Sequence, residues 1–256
     1  MRKYLEIIKY SLKTKFTFIF DYLFSLFSFG IHVFVFNELW DYILAGKLVA
    51  GYSKSELIWY IIIAEFITYT SEKKYKQISS MVKQGDIANM LIKPVNMITY
   101  FIVEDFSLII KACINGVFSI ILGFSLAGNI DLSVQSIIMT IIASIIGIFI
   151  GILLQVFIGI ISFYTEENNS IYLIVQKMSF FVVFTPLEFY PNIVQKVLLI
   201  LPTTYFVYSP AKIFTNFEFE LSVKLILAEL ISAIFIYGLI NIIYKKGVEK
   251  INVNGG

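Results

Sequence analysis

Eight ionisable side chains fall inside or at the edges of long apolar runs: Asp21, Glu65, Glu104, Asp105, Lys111, Lys177, Lys224 and Glu229. Within hydrocarbon such groups are costly and mark ion paths, proton relays or interhelical bonds. Most lie near the ends of their runs, where long side chains reach the headgroups. Glu65 is the exception: it either lines a substrate path or gate, or is held in place as a buried hydrogen-bonding residue. His32, the only histidine, reads as a packing or interhelical hydrogen-bonding residue. The single cysteine, Cys113, excludes a disulfide framework and a cysteine-based metal site. One histidine excludes the H-E-x-x-H zinc pattern, and neither a G-x-x-x-x-G-K-[ST] phosphate loop nor a G-x-S-x-G elbow occurs. No catalytic residue, metal or cofactor is therefore expected on this chain.

The elements that would hold these groups are membrane spans. The 256 residues are 58% hydrophobic, 17% aromatic and only 15% charged, against roughly 25% charged in a soluble domain. Lipid solvates that much apolar surface directly, so we expect an all-α polytopic membrane protein, one transmembrane domain over 1–256. Residues 1–16 place Leu5, Ile8 and Leu12 at helical spacing among Arg2, Lys3, Lys9, Lys13 and Lys15, the pattern of an amphipathic interface helix. Spans are expected over about 17–40, 56–71, 97–127, 134–164, 171–187 and 221–244. Trp40 and Tyr42 mark an interface, and Ser53 with Glu56 forms a capping box. The third run is longer than a bilayer needs, so its charged first turns should project from it. In the fourth, Gly147 and Gly151 form G-x-x-x-G, suited to helix packing or to a subunit interface, with Gly159 farther on.

Two stretches stand out from the spans. Residues 71–96, SEKKYKQISSMVKQGDIANMLIKPVN, form a basic island with Lys73, Lys74, Lys76, Lys83 and Lys93, read as a docking loop for a partner that supplies energy. Here Gly85 permits a tight turn, Asp86 caps the segment after it and Pro94 ends the element. Residues 188–216 are apolar in two short pieces broken by Pro191, Pro202 and Pro210, each expected to stop a helix, giving a re-entrant hairpin before the last span. With six spans, thirteen Lys and Arg fall on the side of the termini, the island and the TEENNS turn, against four on the other. Both termini are then cytoplasmic and the hairpin extracellular.

This arrangement, with NELWDYILAG at 37–46, GYSKSELIWY at 51–60, GDIANMLIKPVN at 85–96 and LPTTYFVYSP at 201–210, resembles the permeases of type-2 ATP-binding-cassette exporters. Within them it looks like the small six-span permeases encoded in pairs beside a drug-resistance-like ATPase. The resemblance implies a bacterial plasma-membrane protein whose loop seats a coupling helix in a cytoplasmic ATPase dimer. Met81, Val82, Lys83, Gln84, Gly85, Asp86, Ile87 and Met90 are the candidate contacts, and ATP and Mg belong to that partner. It also implies a second permease, a paralogue or another copy, surrounding lipids, and no nucleic acid. The substrate would be amphipathic, lipidic, peptide or drug-like, moved out of the cytoplasm or inner leaflet. The rival reading is an ATP-independent secondary transporter or channel with Glu65 in ion coupling.

Overall fold

The computed structural model describes residues 2–15, 19–92, 95–165 and 168–249. The expected roles of Lys93 and Pro94, part of the TEENNS turn and the tail from 250 onward lie outside the described residues. Those residues are helical throughout, apart from connections and one isolated bridge between Val49 and Tyr52. Among the described residues, four stretches are long and apolar enough to cross a bilayer: α2 (Ile19–Leu44), Met97–Ala127, α8 (Val134–Ile161) and α12 (Phe219–Val248). A fifth crossing results if the bent pair α10 (Asn192–Ile200) and α11 (Pro202–Thr215) counts as one span.

The boundaries depart from the sequence expectations where side chains find partners. α2 runs on to Leu44 instead of ending at residue 40, because Trp40 is buried against Phe189 while Tyr42 is exposed. The capping box forms at α3 (Lys54–Thr70): Ser53 accepts from the Glu56 amide, and the Glu56 carboxylate accepts from the Ser53 N–H at 2.7 Å. The third run is interrupted at its charged entry: α6 (Met97–Glu104) gives way to a 3-10 turn, Asp105–Ser107, before α7 (Leu108–Leu122) and a π turn at Gly123–Ala127. That π turn clears Trp59, whose indole donates to the Gly128 carbonyl at 3.0 Å. α9 (Asn169–Val183) has 15 residues, about 22 Å of helix against a hydrocarbon core of about 30 Å.

α8 is the central element, and α12, α11 and α4 (Lys74–Lys83) all pack along it. Its glycines set those contacts. A Cβ on Gly159 would lie 2.7 Å from Ile78 Cδ1 of α4, and one on Gly151 would lie 2.6 Å from Ser71 Oγ. At Gly147 the obstacle is the carbonyl oxygen of Phe206 on α11. The G-x-x-x-G pattern thus packs helices within this chain, and neither glycine is left on an outer face.

Pro202 follows the end of α10 as expected and also opens α11, Pro191 stands at the start of α10, and α10 and α11 meet at 110°. Pro210 corrects the expectation, for it lies inside α11 and does not end it. Proline lacks the N–H that would have bonded the carbonyl four residues back. That carbonyl is Phe206, the one received by Gly147, so the helix defect and the absent side chain fit each other.

Candidate functional site

A cavity of about 820 Å³ opens among α2, α3, α8 and α9, with Phe206 of α11 closing one part of its wall. Glu65 and His32 line it together. His32 Nδ1 lies 3.1 Å from Glu65 Oε1 and 3.3 Å from the Tyr69 hydroxyl, and a proton on Nδ1 is donated to the carboxylate. The Glu65 side chain is 3% exposed and that of His32 46%. Glu65 is therefore both a hydrogen-bonded buried acid and a wall residue, and His32 makes an interhelical bond. The remaining carboxylates and lysines of the described lining sit at one end: Asp21 in the first turn of α2, Glu72 and Lys73 just after α3, and Lys111 in the first turn of α7.

At that same end lies the turn read as a docking loop. α4 stops at Lys83, and Gly85 takes φ +78°, in the left-handed region, before the short helix α5 (Ile87–Leu91). Asp86 precedes α5 but makes no side-chain cap; its backbone is already helical, and its carbonyl accepts from Asn89. Lys83, Gln84, Gly85 and Asp86 are exposed, and Met81 and Val82 are half-buried. Ile87 and Met90 are buried within the chain, so they anchor the turn and are not part of its free surface.

The turn is tied to the bundle by a buried ion cluster. Lys74 Nζ lies 2.9 Å from Glu104 Oε2 and 2.7 Å from Asp105 Oδ1. Burial works to lower the Lys74 pKa, but the charges and hydrogen bonds of Asp105 and Glu104 outweigh it and hold the ammonium above its usual range. α1 (Arg2–Lys15) packs over the same place, with Ser11 Oγ 2.8 Å from Ser107 Oγ.

A family model for ABC-2 family transporter proteins matches residues 22–255. The chain belongs to the ABC-2 transporter family. It is a multi-pass membrane transport subunit, and ABC-2 membrane domains are permeases without an ATPase site of their own. No curated protein matches the chain.

The ABC-2 permease also carries clusters that spacing alone did not reveal. Lys74, Glu104 and Asp105 stand out individually in the sequence, but nothing in it pairs a loop lysine with acids thirty residues on. At the opposite end of α11, Glu188 accepts from Lys212 at 2.6 Å, from the Tyr208 hydroxyl at 3.0 Å and from the Tyr52 hydroxyl at 3.2 Å. Burial would raise the Glu188 pKa, and the Lys212 hydrogen bond and charge reverse that, leaving it below the usual value. Two of the stretches quoted for the resemblance, 51–60 and 201–210, meet at this cluster. Glu229 corrects the expectation of end placement: it lies well inside α12, fully buried, with no hydrogen-bond partner for either oxygen among the described residues.

Proposed function

We propose that the chain is the permease of an ATP-driven exporter, a six-span subunit with α1 on the cytoplasmic membrane surface and α10–α11 as a re-entrant hairpin. Six spans require α3 and α9 to cross as short helices, α3 packed against α2 and α8, and α9 against α11 and α3. The positive-inside count puts both termini and the α4–α5 turn in the cytoplasm. The observation that carries the reading is that turn: four exposed residues around a left-handed glycine, on a helix both seated against α8 and ion-paired to Glu104 and Asp105. A cytoplasmic ATPase dimer gripping Lys83–Asp86 would move α4, and α4 would move α8. A second permease completes the path, and an amphipathic substrate leaves the inner leaflet or cytoplasm through the cavity.

The test is to isolate the wild-type protein from its native membrane beside a variant with Gly85→Val and Asp86→Lys. Wild type is expected to bring down an ATPase and a second permease, and the variant to lose the ATPase alone. The rival, an ATP-independent transporter, draws on the His32–Glu65 pair in the cavity. Solute flux through reconstituted wild type without any ATPase would establish the rival and end the exporter reading.

A further inference from the structure

We propose that the cavity binds an organic cation with an apolar body, and that Glu65 is its counter-charge; this deepens the exporter reading and rests on the cavity being the substrate path. Depth is the first argument. Asp21, Glu72, Lys73 and Lys111 all belong to one end of the cavity, so among the described lining residues Glu65 is the one carboxylate farther in, beside His32 and the Tyr69 phenol. With a proton on Nδ1 alone, the imidazole hydrogen-bonds the carboxylate without cancelling its charge, and a buried charge calls for an opposite one.

Hydrogen-bond polarity is the second. Three of the six lining hydroxyls spend their protons on their own helix: Thr68 donates to the Ala64 carbonyl at 3.0 Å, Ser71 to Ile67 at 3.4 Å and Ser179 to Val175 at 3.0 Å. Each is left with acceptor lone pairs only. Gln155, also on the wall, has its Oε1 without a hydrogen-bond partner among the described residues. These acceptors beside one buried carboxylate suit a ligand that brings protons or positive charge.

Aromatic faces are the third. Lys177 Nζ already stands 5.1 Å from the Phe180 centroid, and Lys73 Nζ 5.8 Å from that of Tyr172, so the lining rings accept cations. The volume, about 820 Å³, falls in the range of sites for drug-sized ligands. The lysines among the described lining residues, Lys73 and Lys111, stand at one end, away from Glu65.

Tetraphenylphosphonium and tetraphenylborate share size and shape and differ in the sign of charge. Equilibrium binding of each to the permease in lipid nanodiscs, corrected for uptake by empty nanodiscs, tests the site. We expect the phosphonium to bind at least about tenfold more tightly than the borate, Glu65→Gln to remove that preference, and Glu65→Asp to keep most of it. Equal binding of the two probes, tighter borate, or unchanged phosphonium affinity in Glu65→Gln overturns the proposal. Capture of the ATPase by Glu65→Gln shows that the variant folds. The two readings fail separately. Wild type that binds the two probes equally while still capturing the ATPase removes the cation site and keeps the exporter. A Glu65-dependent preference in wild type that captures no ATPase keeps the site and removes the exporter.

Discussion

Two residues on different helices, Gly147 and Pro210, make one contact. Proline frees the Phe206 carbonyl, and glycine leaves the space that carbonyl fills. Gly147→Ala should cost about 1–3 kcal/mol by overpacking. Pro210→Ala restores an N–H that can draw the Phe206 carbonyl back into its helix. The double variant should therefore be more stable than the sum of the two singles by about 0.5 kcal/mol or more. Thermal unfolding of the four proteins in detergent measures this, and simple additivity would refute the pairing. Lys74 is the second residue whose role is sharply defined. It balances two carboxylates, its side chain only 5% exposed, and Lys74→Met leaves both unpaired at a cost of about 3–5 kcal/mol. Because its pKa is raised on folding, the stability it adds is present in full below the ordinary value of 10.5 and disappears as pH climbs through the higher folded value. On the alkaline side, wild type should thus lose part of its margin over Lys74→Met only in strongly alkaline solution, as read from unfolding midpoints across pH; a margin that narrows between about pH 7 and pH 9 would contradict the ion cluster.

At the level of elements, the helices were legible wherever a single physical rule governed them. The apolar runs gave α2, α3, α8, α9 and α12, the Ser53 and Glu56 pair gave the start of α3, and the prolines at 191 and 202 gave the bend between α10 and α11. What escaped the sequence was whatever depends on a neighbour brought close by folding. Trp40 extends α2 because Phe189 is there to receive it, and Pro210 stays inside α11 because α8 has no side chain opposite. The candidate site divides in the same way. Glu65 was conspicuous as an acid in an apolar run, while its bond to His32 joins two helices whose rotation about their axes no periodicity specifies. Ile87 and Met90 read as contacts for a partner, yet they are buried in this chain, since a five-residue helix cannot stand without packing of its own.

For the molecule as a whole, the orientation across the bilayer is set by where its lysines lie. With Cys113 replaced by Ser, a cysteine at Lys47 should react with a membrane-impermeant maleimide on intact cells, and one at Lys83 only after permeabilisation. The reverse pattern would invert the topology and place the α4–α5 turn outside, out of reach of any cytoplasmic motor. The two glycine seats on α8 have a mechanical corollary. Gly159, which receives Ile78 of α4, and Gly147, which receives Phe206 of α11, are twelve residues apart on one uninterrupted helix, about 18 Å along its axis. A tilt of about 10° around the first seat swings the second by about 3 Å, close to the thickness of an aromatic ring. Phe206 is such a ring, standing in the cavity wall; in the proposed exporter, a lever of that length would convert a nudge at the α4–α5 turn into the stroke of a valve.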